Sequence, residues 1–104
     1  MAINNTNTIN TNLGVDVSST YIRLHLTIKE NGNAIIEYRF YSNKTNYLEG
    51  LHPINDSLPT DLVKTYEINT PLGDWSKDSI HDLAIAQLVA RGLDIAKLTK
   101  VDLV

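Results

Sequence analysis

The chain contains no cysteine. That removes disulfides, zinc–thiolate sites and thiol chemistry, and leaves the compartment open. No apolar run is long enough to span a membrane, and no basic-then-apolar leader stands at the start, so export through a standard signal is not expected. Gly32, Gly50, Gly73 and Gly92 are isolated, so no glycine-rich loop can cradle a phosphate. Positive charge is in deficit: nine Lys and Arg against twelve Asp and Glu give a net charge of -3 and a pI near 5.4. Nonspecific nucleic-acid binding needs a basic footprint, and this chain has none.

Catalytic patterns are equally scarce. No serine or threonine lies in a Gly-x-Ser-x-Gly elbow, and no carboxylate pair sits in an apolar stretch where acid–base work would need it. The three histidines are His25, His52 and His81. His25 falls opposite Glu37 on a predicted hairpin, but two side chains fall short of the three or four that a metal site needs. A cross-strand ion pair on a solvated face is the stronger reading. His81, with Asp78 and Asp82, reads as part of a solvated helix face. The expectation is a non-enzyme with no cofactor and no metal. Sites composed between subunits are the one enzymatic class left open.

What is present is a strong β pattern. Ile22, Leu24, Leu26 and Ile28 alternate with Tyr21, Arg23, His25 and Thr27. After Asn31-Gly32, Ala34, Ile36, Tyr38 and Phe40 alternate with Ile35, Glu37, Arg39 and Tyr41. A period of two marks half-buried strands. A two-residue loop at Asn31-Gly32 would set Leu26 against Glu37 and flip one strand's side chains to the wrong face. A loop of Glu30-Asn31-Gly32 pairs Leu26 with Ile36, Leu24 with Tyr38 and Ile22 with Phe40. It also puts Gly32 at a left-handed bulge position. Its cost is Arg23 opposite Arg39, which Glu37 can offset. The outer face then carries Tyr21, Arg23, His25, Glu37, Arg39 and Tyr41. Aromatics and arginines together are enriched at protein interfaces, although a solvated sheet face is the plainer reading.

Around the hairpin, Val15 and Val17 can begin a strand early, with Ser18-Ser19 as a break. Residues 43–46 read as a turn, and Tyr47 to Ile54 as a helical turn or loop. Leu62 to Ile68 alternates as a third strand, and the segment from Asn69 to Asp74 closes it. Ser76 can cap a helix over residues 77–91, with Trp75 and Ile80 as a hydrophobic staple. Its apolar stripe is Ile80, Leu83, Ala84 and Leu88, widened by Ile85 and Val89. Gly92 supplies the stop, with Leu93 folding back on Leu88. The fold class is therefore α+β: a small antiparallel sheet of hairpin 20–42 and strand 62–68, packed by one helix.

The ends are harder to read. Residues 1–12 are rich in Asn and Thr and predict a flexible arm, with Ile3 and Ile9 as anchors on a neighbouring subunit. Residues 94–104 form an apolar tail containing Leu98, Val101 and Leu103, which forms a last element or docks onto a partner. Residues 13–93 are the expected single domain, within the ordinary size of one for 104 residues. The tripeptides at Asn4, Asn43 and Asn55 match the glycosylation pattern and read as chance in so Asn-rich a chain.

Some of these features occur together elsewhere. The leader Asn-Leu-Gly-Val-Asp-Val into Thr-Tyr-Ile-Arg-Leu, the return strand Glu-Tyr-Arg-Phe-Tyr-Ser, and the later Tyr47 and Pro53 resemble the small virion proteins of tailed bacteriophages. The resemblance spans roughly residues 13 to 93. It implies a structural role in the tail, baseplate or connector, in a virion assembled in the host cytoplasm. Copies of itself and other virion proteins would be the partners, as a homo-oligomer, without nucleic acid or membrane. It carries over no site residue. The contact residues expected are Ile3, Ile9, Tyr21, Arg23, Arg39, Tyr41, Leu98, Val101 and Leu103. A second reading is a small carbohydrate-binding domain using Tyr21, Tyr41 and Trp75.

Overall fold

Alternation and turn chemistry act together in the centre of the molecule, a computed structural model that describes residues 1–69 and 76–102. Strands β1 (Ala2–Asn5), β2 (Ile9–Asn10) and β3 (Asp16–Val17) precede the long hairpin of β4 (Thr20–Ile28) and β5 (Ala34–Tyr41). Helix α1 (Lys44–Leu48), strand β6 (Tyr66–Ile68), helix α2 (Lys77–Ala90) and strand β7 (Leu98–Val101) follow. The main sheet is five-stranded in the order β6-β5-β4-β1-β7, and each neighbouring pair is antiparallel. Strands β2 and β3 pair separately as a small ribbon. The class is α+β, with α2 packed on one face of the sheet.

The hairpin takes the register that keeps its apolar sets together: Leu26 faces Ile36, Leu24 faces Tyr38, Ile22 faces Phe40, and Arg23 faces Arg39. Gly32 sits at φ 88°, a region closed to most side chains. Its N–H donates to the Lys29 carbonyl at 3.0 Å, and the Lys29 N–H donates to Asn33 at 2.7 Å. Ile22, Ile36, Tyr38 and Phe40 are completely buried on the core face.

Helix α2 begins and ends by local chemistry. The Ser79 N–H donates to Ser76 Oγ at 3.1 Å, and the chain leaves the helix through Gly92 at φ 106°. The Leu93 N–H returns to the Leu88 carbonyl at 3.2 Å, and Leu93 packs against the core beside it. The staple residue Trp75 lies outside the described residues. Ala84 and Leu88 are buried as expected, while Val89 stays at the rim. His81 is a correction. It shares the stripe of Ala84 and Leu88, three and seven residues along, and is buried against the sheet instead of facing solvent.

Both ends also differ from expectation. Residues 2–5 form no flexible arm: β1 lies between β4 and β7, inside the sheet. The asparagines that suggest disorder are hydrogen-bonded. Asn5 is fully buried; its Oδ1 accepts from the Asn7 N–H at 2.9 Å, and its amide donates to Thr20 Oγ1 at 3.0 Å. Asn7 in turn accepts from the Asp94 N–H at 2.9 Å. Within the tail, Leu98 to Val101 form β7 on the other side of β1. The third strand begins at Tyr66, later than Leu62. Leu62 still reaches the core, from a turn in which its N–H donates to the Pro59 carbonyl at 3.1 Å.

Candidate contact surface

The outer face of the hairpin divides into a closed half and an open half. Helix α1 creates the closed half. Asn43 caps it by accepting from the Asn46 N–H at 2.8 Å, and the helix lays Tyr47 over the sheet. The Tyr47 ring lies 5.7 Å from Tyr21 and 5.2 Å from Tyr41, centroid to centroid. The Arg23 guanidinium stands 4.6 Å over the same ring and donates to the Met1 carbonyl at 3.1 Å. Ala2 and Val101 complete this cluster, so Tyr21 and Tyr41 are only 3% and 7% exposed.

Asp102 closes the rim of the cluster. It accepts from the Tyr21 hydroxyl and from Lys44 Nζ, the latter at 2.7 Å. Its φ of 52° is a left-handed conformation that short polar side chains tolerate better than most. The Lys44 and Tyr21 hydrogen bonds hold the Asp102 carboxyl below the usual range. Burial, reinforced by the bond to Asp102, pushes the Tyr21 hydroxyl up.

The open half carries His25, which is exposed, and the pair Arg39 and Glu37, 3.5 Å apart on the same strand. Of the contact residues expected from sequence, Ile3, Ile9 and Leu98 belong to the main core. Tyr21 and Tyr41 belong to the second cluster, with Val101 and Arg23 packed at its margin. Arg39 remains accessible, and Leu103 lies outside the described residues. Ile3, Ile9, Tyr21, Tyr41 and Leu98 are thus spent within the chain and offer little to a partner.

A groove that the sequence pattern does not announce runs between β4 and the start of α2. It encloses about 250 Å³ and is lined by Arg23, Leu24, Leu26, Lys77, Ile80 and His81, with Met1 at one end. His81 Nδ1 lies 2.6 Å from the Lys77 carbonyl, while its buried Nε2 has no hydrogen-bond partner. Burial lowers the affinity of His81 for a proton, and the Lys77 carbonyl opposes that shift. The neighbouring Asp78 and Asp82 are held by Lys100 of β7, at 2.6 Å and 2.8 Å.

The chain matches no family model, no curated protein and no solved structure. Among the described residues, no three His, Asp or Glu side chains converge as a metal site would need. Among those residues too, no helix is long and apolar enough to cross a membrane. What the arrangement offers is contact chemistry: an accessible Arg39 and Glu37, a groove with cations at its mouth, and an apolar loop tip on β2–β3.

Proposed function

We propose that this chain is a non-catalytic structural component of a tailed-bacteriophage virion, working in the tail, baseplate or connector region by protein–protein assembly. The observation that carries the assembly reading is the tip of the β2–β3 ribbon. Leu13 and Val15 are 77% and 63% exposed there. They do not sit on a loose loop. The Thr11 N–H donates to Val15 at 3.2 Å, the Gly14 N–H to Thr11 at 3.2 Å, and the Asn12 N–H to Ser57 at 2.7 Å. A fixed turn that presents two large apolar side chains to water suits a contact point better than a spacer. The virion assignment itself rests on the resemblance of residues 13 to 93.

The polar inventory supports a structural reading in the same direction. Asn5, Asn7 and Asn55 are engaged in holding backbone, and His81 is packed under a sheet. A carbohydrate platform would need exposed aromatic faces, and Tyr21 and Tyr41 are buried. The test is native mass spectrometry with light scattering on the chain and on a Leu13→Ser/Val15→Thr variant. The expected result is an oligomer for the natural chain and a folded, lower-mass species for the variant. A natural chain that stays monomeric at every concentration, or a variant with unchanged mass, would sink the assembly reading.

A further inference from the structure

We propose that the groove between β4 and α2 takes an extended peptide of a partner, which adds to the sheet as another strand and places a carboxylate against Arg23 and Lys77. This rests on reading the chain as an interaction module.

The argument begins with hydrogen-bond parity. Lys29 bonds to Asn33 across the hairpin, so odd-numbered residues of β4 point their N–H and C=O groups at β5. Even-numbered residues point theirs the other way. Strand β1 answers Thr20 and Ile22 on that side, and its ladder ends there. Leu24, Leu26 and Ile28 therefore present their backbone groups to a side with no strand among the described residues. Such an edge is a template for strand addition. The other long edge of the hairpin is handled differently. Where β6 stops, Asn55 bonds the Phe40 N–H and the Tyr38 carbonyl through its side-chain amide.

The walls of the groove state the chemistry of the occupant. Its floor is Leu24, Leu26 and Ile80, which suits alternate apolar side chains of an added strand. Arg23 and Lys77 stand at the end nearest Met1, and neither has a carboxylate partner among the described residues. The nearby acids are already committed: Asp102 to Tyr21 and Lys44, Asp78 and Asp82 to Lys100. His81 adds an independent sign. It is 7% exposed, lines the same groove, and has an Nε2 with no partner. With Nδ1–H donating to the Lys77 carbonyl, neutral His81 presents Nε2 as an acceptor, and a backbone N–H of the added strand would satisfy it.

A display library of random linear peptides, panned against the full chain, tests this. Enriched peptides should carry Asp or Glu toward one end. Their binding should shift the backbone amide signals of Leu24, Leu26 and Ile28 in NMR spectra. Lys77→Glu, an exposed change in a first helical turn that favours acids, should weaken binding about tenfold. Ile28→Pro removes an outward N–H and no bond of the hairpin, and should also weaken it. No enrichment, enrichment without carboxylates, or affinity unmoved by both variants would overturn the proposal. Protection of the three amides from hydrogen exchange in the chain alone would overturn it too, because a second copy would already cover the edge. The Leu13→Ser/Val15→Thr variant leaves this groove intact, so loss of oligomers and loss of peptide binding are separate results.

Discussion

At the scale of single residues, the polar side chains of this molecule act mostly as substitutes for backbone or solvent. Among the described residues His81 is the exception, because burial leaves its Nε2 unanswered. Folded His81 holds a proton less firmly than the same residue in an unfolded chain, whose ordinary value is 6.5. As pH falls through 6.5, the unfolded state gains a proton and the folded state does not. Stability contributed by neutral His81 is therefore complete above that value, and declines as pH falls toward the lower folded value. Thermal melts between about pH 7 and about pH 5 should show the midpoint dropping. In His81→Leu that drop should shrink, with little change at pH 7, since removing both the charge and the orphaned nitrogen is close to neutral. An identical pH slope in the variant would place its origin elsewhere. The spacing from His81 to Ala84 and Leu88 was the signal available in the sequence. Asp78 and Asp82 on either side mask that signal, because they read as a solvated face, whereas in the fold they answer Lys100.

At the scale of elements, legibility followed how local the determining interactions are. The β4–β5 register could be derived because turn geometry and period-two patterning constrain the same few residues. Helix α2 could be bounded because Ser76 and Gly92 act within one turn of its ends. The sequence pattern predicts a third strand from Leu62, longer than β6, because Leu62, Lys64, Tyr66 and Ile68 alternate along the chain whether or not a partner strand is present. Only Tyr66 to Ile68 find one, opposite Ile36 to Ala34. Beyond that point Asn55 takes over as a strand surrogate, accepting from the Phe40 N–H at 2.8 Å and donating to the Tyr38 carbonyl at 2.7 Å. Asn55→Ala should leave two partly buried backbone groups unpaired. A loss of about 1–3 kcal/mol in urea unfolding is expected, with an unchanged slope. A loss no larger than that of an exposed surface change would mean that water replaces the amide without penalty.

For the whole molecule, the decisive arrangement is that β1 and β7, from opposite ends of the chain, pair with each other along one side of the main sheet, with β7 as its edge strand. Neither end was legible, because their stability is entirely non-local. Ala-Ile-Asn-Asn has no period to read, and its partner Leu98 to Val101 lies at the far end of the chain. Asn5 looks solvent-seeking until Thr20 and Asn7 satisfy it. The candidate groove was hidden for the same reason, since it exists only where the β1 ladder stops and α2 crosses. A flexible arm over residues 1–12 would be expendable to the fold. The structure reverses that expectation. Deleting them takes Ile3 and Ile9 from the core, at about 1.5–3 kcal/mol each, and strips β7 of its neighbour. The apolar loss alone approaches the lower end of the 5–15 kcal/mol that is typical for a whole domain. A chain lacking residues 1–12 should lose its cooperative thermal transition and its β-sheet circular dichroism. If it instead melts cooperatively with sheet content retained, β1 is an accessory to the fold, and the free edge of β4 would extend from Ile28 back to Thr20.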